Sequence, residues 1–541
     1  MPTVPSSNEP GGSNQQNAAG HSASPLERDV SLSQSLIWQR QREFYMQRGL
    51  KAWTEDQIPA YITNNPFTAE IYAGIVFAFL RDCLGHGGRQ LLSVESPLRI
   101  LELGAGTGKF AHLFLRQLAA RMRAAGIALQ TVRYSMSDCS DSVLEAWRGN
   151  SYLEEFASTG VLEFELVAAG EETKSHADDG MAPRGPLVVI ANYVFDSLPQ
   201  DAFVIQDGKI FESMVTTTAS GPSAAAGGAP ERLAELKLSY SNVAMPPDRY
   251  ADPRWNKILD LYRTRLASAT ILFPAQALTA LKELAQSSDG RMLVLVADKG
   301  ETNEEQLALS QGPPALEFHS PNCFSQMVNF DAIGKYFAAA GGQALLPDKH
   351  FSGLNICAFL QGRPGEAFPA TAAAYRQSQA AFGPDDLFTL LAWLNVHMEE
   401  MSVAQILSAL RLTRWDSTAL ARFFPMLARQ ARHVARERSD VRDAVLRVWA
   451  NHFPVTPADN ALAFQCGAIL LELRYFADAE PMFQASQKML GPSAATSYNL
   501  GLCARGLGHR DEALALMMEA CHLDPQFEPA HAARRKLEKE T

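Results

Sequence analysis

A chain of 541 residues exceeds what one ordinary hydrophobic core organises, so two or more domains are expected. With 47% hydrophobic and 20% charged residues the composition is globular, and a net charge of −11 without a basic stripe argues against duplex nucleic acid as partner. Seven scattered cysteines without CxxC and twelve histidines without ligand spacing argue against a metal site and fit reduced thiols in a cytoplasmic protein.

Residues 1–30 open with MPTVPSSNEPGGSNQQNAAGHSASP, which has no basic leader and no apolar core, so a disordered tail is expected rather than a signal peptide. SLSQSLIWQRQREFYMQRGLKAW (31–53) reads as an amphipathic helix. NNPFTAEIYAGIVFAFLRDCL opens another, with Asn65 as N-cap and Pro66 at the first helical position. Its apolar run IYAGIVFAFL (71–80) is too short to span a membrane. These N-terminal helices fill 31–97. Beyond them LRILEL (98–103), TVRYSMS (131–137), LEFELVA (162–168) and LVVIAN (187–192) read as strands alternating with helices, the mark of a doubly wound α/β sheet.

AFVIQDGKIFESMV (202–215) reads as a hairpin turning at Asp207-Gly208. EETKSHADDGMAPRG (171–185) and ASGPSAAAGGAPE (219–231) read as loops, RMLVLVADKG (291–300) and KHFSGLNICAFLQG (349–362) as late strands. The α/β domain is expected over 31–365, and an all-helical domain over 366–541. In the latter, GAILLELRYFADAEPMFQASQKMLGP from Gly467 aligns with GLCARGLGHRDEALALMMEACHLDP from Gly501, an offset of 34 residues. Ala479 then matches Ala513, and Phe483 matches Met517. The period resembles the tetratricopeptide repeat, clearest at 460–541, with a generic helical bundle as the other reading.

The chemistry starts at LELGAGTG. A Walker loop would need Gly-Lys-Ser/Thr, and Gly108-Lys109 is followed by Phe110. The dinucleotide fingerprint would need glycine where Lys109 stands. The glycines fall instead as GxGxG, with Glu102 two residues ahead, the pattern of the first motif of class I S-adenosylmethionine-dependent methyltransferases, which it resembles. Glycine torsions make the strand-to-helix turn, and the missing Cβ atoms let a ligand approach the backbone. The implied cofactor-binding residues are Glu102, Gly104, Ala105, Gly106, Thr107 and Gly108. Asp138, ending the second strand, suits ribose hydroxyls, with a helix cap as the alternative reading. It lies 34 residues after Gly104, a spacing attributed to a long helix over about 107–124 that stops near Arg121, Arg123 and Gly126. At the end of the fourth strand, Asn192 should face the transferred methyl group and cofactor, as a catalytic and cofactor-binding residue. Asp196 is the expected group for steering or deprotonating the acceptor, with an N-cap or turn residue ahead of Ser197-Leu198-Pro199 as the alternative.

ANYVFDSLPQDAF resembles the ANE-x-x-DALP segment of the MidA-type methyltransferases, a family that includes a mitochondrial respiratory complex I assembly factor. YITNNPFTAEIYAG (61–74), LVLVADKG (293–300) and VNFDAIGKYFAAAGG (328–342) are similar to further blocks of it, covering about 60–365. The resemblance implies a class I Rossmann-like fold, S-adenosyl-L-methionine as cofactor and, for the best-known member, a protein arginine as acceptor. Tyr193 and Phe67 stand where the family has Glu, and Lys299 where it has Tyr, which leaves the acceptor open. Asn64-Asn65-Pro66-Phe67 is similar to the NPPF motif of nucleic-acid amino-methylating enzymes, but its second residue is wrong and helix capping explains Asn65-Pro66. The expected function is therefore methyl transfer to a protein or peptide recruited by the helical repeats. A small-molecule methyltransferase and a non-catalytic cofactor-binding scaffold are the alternatives.

Overall fold

The computed structural model describes residues 25–55, 58, 61–85, 92–167, 185–219, 232–288, 290–348 and 353–539. The strands are β1 Glu27–Ser31, β2 Leu98–Leu103, β3 Val132–Asp138, β4 Leu162–Leu166, β5 Leu187–Asn192, β6 Asp201–Gln206, β7 Lys209–Ala219 and β8 Leu236–Ala244. Then follow β9 Ser268–Phe273, β10 Met292–Asp298, β11 Gly300–Glu301, β12 Glu317–Ser320, β13 Cys323–Ser325, β14 Val328–Asn329, β15 Gln343–Leu345 and β16 Asn355–Gln361.

Seven strands form the central sheet in the order β15-β16-β10-β5-β2-β3-β4. β2, β3, β4, β5 and β10 run parallel, while β16 is antiparallel to β10. Both faces are buried, which is why β5 and β10 read as apolar runs up to their last residue and β2 is apolar but for Arg99 and Glu102. Leu98, Ile100, Val188 and Ile190 face the helices Pro66–Gly85 and Lys109–Ala124. Leu101, Leu103, Val189 and Ala191 face Pro253–Arg265, Ala275–Ser287 and Phe330–Ala339. The chain leaves this sheet after β5 and returns at β10. In between it builds an antiparallel sheet, β1-β7-β6-β9, with β8 paired to β7. The expected hairpin is β6–β7: Asp207 and Gly208 both have positive φ, at 51° and 69°, as a tight two-residue turn demands.

Two expectations at the N-terminus change. Residues 27–31 are not part of a disordered tail: they form β1, which pairs antiparallel with β7, and positions 1–24 lie outside the described residues. The single helix expected over 31–53 becomes a short 3-10 turn, the helix Leu36–Arg48 and, after Gly49 at φ 51°, the turn of helix Lys51–Thr54. Most of the two loops expected at 171–185 and 219–231 lies outside the described residues.

From Pro369 the described chain is helical throughout. The helices Ala461–Glu472 and Phe476–Leu490 pair, and Ala494–Leu507 and Arg510–Leu523, starting 33 and 34 residues later, pair in the same way. A Cβ on Gly467 would lie 2.9 Å from the Phe483 ring, and one on Gly501 would lie 2.8 Å from Met517 Cε. The aligned residues therefore make the same close approach in both pairs. This helical region rests on the α/β domain. Tyr61 Oη donates to Asp416 at 3.2 Å, Glu70 bridges Arg121 and Arg414, and Phe67 packs with Leu387 and Leu391.

Candidate cofactor site

The sequence places its glycines where β2 must turn into the helix Lys109–Ala124. Gly104, Gly106 and Gly108 have φ of 60°, 53° and 78°, a region that residues with a Cβ rarely occupy. The loop is tied down from several sides. Ala105 N donates to Ser137 O at 2.9 Å, Trp147 Nε1 donates to Gly106 O at 2.9 Å, and Gly106 N donates to Asp138 Oδ2 at 3.3 Å. A cavity of about 440 Å³ opens at the carboxyl ends of β2, β3 and β5, within the usual size of small-molecule sites. Its walls include Glu102, Gly104, Ala105, Gly106, Thr107, Asp138 and Asn192. Gly108 is not on the wall; it caps the helix, and its bare Cα faces Met136, Leu153 and Trp147 in the core.

Two buried carboxyls stand at one end. Glu102 Oε2 accepts from Tyr134 Oη at 2.8 Å, and burial pushes this carboxyl up to about 8. Burial raises Asp138 to about 6, opposed by the backbone N–H groups of Ser140, Gly106 and Cys139. At the far end of β5, Asn192 Oδ1 accepts from Tyr72 Oη at 2.8 Å, while its Nδ2 is buried without a partner. Tyr193 follows with φ 55°, its N–H held by Ala297 O.

Asp196 requires a correction. It is not on the cavity wall: the 3-10 turn Phe195–Ser197 leaves Tyr193, Val194 and Ser197 there and places Asp196 behind them. Its Oδ1 accepts from Ser197 Oγ at 2.9 Å, and burial raises it to about 7. The neighbouring Asp298, raised well above the usual range by burial and by Asp196, accepts from Phe195 N at 3.1 Å. The turn-residue reading of Asp196 is the one the geometry favours.

The opposite wall was not foreseen. Trp38, Gln41, Arg42, Tyr45 and Trp53 come from the segment after β1, with Thr63 and Asn64 from the turn before the next helix. The Trp53 ring lies 3.2 Å from where a Gly106 Cβ would stand, and Tyr45 and Trp53 are 6.0 Å apart between centroids. The signal was present as four aromatic residues within 38–53, in a stretch otherwise mostly polar. Asn65 caps its helix as expected, accepting from Thr68 N at 2.9 Å, while Asn64 beside it faces the cavity.

The residues fit S-adenosyl-L-methionine. Bare glycine backbone provides the cradle, Glu102 and Asp138 suit its cationic and ribose groups, and the orphaned Asn192 amide marks a position built to donate to a ligand. Among the described residues no cluster of His, Cys, Asp and Glu could hold a metal, all seven cysteines are free thiols, and no helix is long and apolar enough to cross a membrane.

Residues 88–321 match the family described as "Putative S-adenosyl-L-methionine-dependent methyltransferase". No curated protein matches the chain. Among solved structures, the chain is similar to a Burkholderia thailandensis protein described as a "likely methyl transferase" and bound to S-adenosyl-homocysteine. The two share 15% identity over 56% of this chain and 80% of that one, with a TM-score of 0.36. It is also similar to an uncharacterized protein of the same superfamily from the same organism, at 13% identity, 62% and 95% coverage and a TM-score of 0.35. A third similarity is to the plantazolicin methyltransferase BpumL in complex with SAH, at 10% identity, 61% and 100% coverage and a TM-score of 0.27. The family match over residues 88–321 and the lining of the cavity both support S-adenosyl-L-methionine as the cofactor, as a methyltransferase would use it.

Proposed function

We propose that this chain methylates a protein substrate recruited by its helical region, and that it is related to the MidA-type enzymes. The reading is carried by one observation: a single cavity joins the glycine loop, Glu102, Asp138 and Asn192 at the carboxyl ends of β2, β3 and β5. When bound, S-adenosylmethionine supplies a methyl group on a positively charged sulfur, already activated for displacement. The chain's own task is then alignment and exclusion of water. Tyr72 fixes the Asn192 amide, and Trp53 and Tyr45 close the side facing the glycine loop. A protein acceptor is supported by the contact of the helical region with the residue 61–70 segment, which also supplies Thr63 and Asn64 to the cavity. The repeated close packing at Gly467 and Gly501 supports tetratricopeptide-like repeats there.

The scaffold reading gains from one observation, the withdrawal of Asp196 from the wall. Incubating the protein with methyl-labelled S-adenosylmethionine and cell extract, fractionated by size, separates these outcomes. Label in macromolecular fractions supports the protein acceptor, and label only in small molecules rejects it. Calorimetric binding without any transfer favours the scaffold.

A further inference from the structure

The helix Pro384–His397 buries one face and displays the other. Leu387 and Leu391 pack with Phe67, and the Phe388 ring meets Tyr61 at 5.6 Å between centroids. On the far side, Leu390, Trp393 and Val396 are 36%, 57% and 78% exposed. Steps of three residues align them in one stripe along the helix. A solvent-facing helix surface is ordinarily charged, and a large exposed aromatic flanked by aliphatic residues marks an interaction site. The Trp393 ring lies on His397 at 4.4 Å between centroids, so it is already held by a neighbour.

The chain carrying the stripe is acidic. Between Arg376 and Arg411 the sequence contains no Lys or Arg, while Asp385 and Asp386 precede the stripe and Glu399 and Glu400 follow it. Of these, Glu399 is paired with Arg429 at 2.7 Å, while Asp385 and Asp386 accept from the backbone N–H groups of Leu354 and, at 2.8 Å, Gly383. The buried face of the same helix abuts Tyr61 and Phe67, on either side of the Thr63 and Asn64 that line the cofactor cavity.

We propose that the Leu390–Trp393–Val396 stripe docks a basic amphipathic helical segment of a partner protein, its apolar face on Trp393 and its Lys or Arg residues toward the acidic ends. Resting on the methyl-transfer reading, this partner is the substrate or carries it. The acidic surround favours a cationic peptide over an anionic membrane or a second copy of this acidic chain.

The test uses the full chain and a labelled eighteen-residue peptide with Leu on one helical face and Lys on the other, read by fluorescence anisotropy. Its Leu/Glu counterpart and a Leu→Ser version are the controls. The Leu/Lys peptide should bind, weaken with added salt, and lose at least about tenfold in affinity with Trp393→Ala. Val396→Ser should weaken it less. Hydrogen exchange should show protection over 384–397. Equal binding of the Leu/Glu peptide, or unchanged binding by Trp393→Ala, overturns the proposal. So does a dimer in sedimentation that Trp393→Ala dissolves, which would make a second copy the occupant, or binding to anionic vesicles that Trp393→Ala abolishes. Titrating Trp393→Ala with S-adenosylhomocysteine shows that the variant is folded. It also keeps failure of docking distinct from failure of the methyltransferase reading.

Discussion

Gly106→Ala is the sharpest test of the cofactor site. Gly106 has φ 53°, where a residue with a Cβ loses about 1–2 kcal/mol. The new methyl group would stand 3.2 Å from the Trp53 ring, so the ring must give way by a few tenths of an ångström. The loop cannot relax freely instead. Doing so would break the bond from Trp147 Nε1 to Gly106 O or that from Gly106 N to Asp138, each worth about 1 kcal/mol. Wherever the free protein escapes this strain by displacing Trp53 or the loop, binding must restore the cradle, and a cost of about 2–3 kcal/mol then corresponds to a roughly thirty- to 150-fold weaker affinity. Titration calorimetry with S-adenosylhomocysteine measures it. Gly108→Ala is the matched control: its φ is 78°, but its Cβ would press on Met136 at 3.0 Å and Leu153 at 3.2 Å, inside the core. It should lower the unfolding temperature and leave the affinity of the folded fraction largely unchanged. A folded Gly106→Ala protein that binds within about threefold of the native one would refute the cradle assignment.

Three further outcomes follow from the geometry. Burial raises Glu102 to about 8 and Asp138 to about 6, so the folded protein holds protons that the unfolded chain releases from its ordinary carboxyl range upward. The stability they contribute is full at low pH and falls as pH rises toward 8; Glu102→Gln should remove the upper part of that slope in denaturation midpoints measured across pH. A slope of opposite sign would contradict the assignment. Tyr72→Phe removes the donor to Asn192 Oδ1 and should cost about 1–3 kcal/mol, read by chemical denaturation together with weaker cofactor binding. Gly467→Val would drive a side chain into the Phe483 ring, 2.9 Å from the Cβ position, and should speed proteolysis of the last helices without altering the cofactor titration.

What the sequence disclosed followed from what each residue's environment demands. β2 and β5 were legible to the residue because both faces of those strands are buried, leaving a run that is apolar but for Arg99 and Glu102 in β2 and the terminal Asn192 in β5. The glycine loop was legible because its torsions admit little else. β1 was not: ERDVS is an edge strand, half exposed, and it pairs with a strand almost 190 residues away, so its composition resembles a tail. Trp53 and Tyr45 were missed for a similar reason, since only the return of the chain over the glycine loop makes them a wall. Asp196 shows the converse error. Its position one turn past Asn192 suggested a reacting group, but the 3-10 turn sends its carboxyl toward Ser197 and Asp298.

The placement of residues 61–70 bears on how the two regions work together. Thr63 and Asn64 line the cavity, while Tyr61 donates to Asp416 of the helical region and Phe67 packs against Leu387 and Leu391. Glu70, six residues past Asn64, bridges Arg414 of the helical region at one oxygen and Arg121, near the end of the helix that begins at the glycine loop, at the other. Ion pairs this exposed contribute little stability by themselves. Their geometry nevertheless means that a shift of the helical region has a short mechanical path to both the cavity wall and the loop helix. On the proposed reading, a partner held by the helical region would load the same segment that shapes the cofactor site, and the coupling would be read as a change in S-adenosylhomocysteine affinity on partner binding.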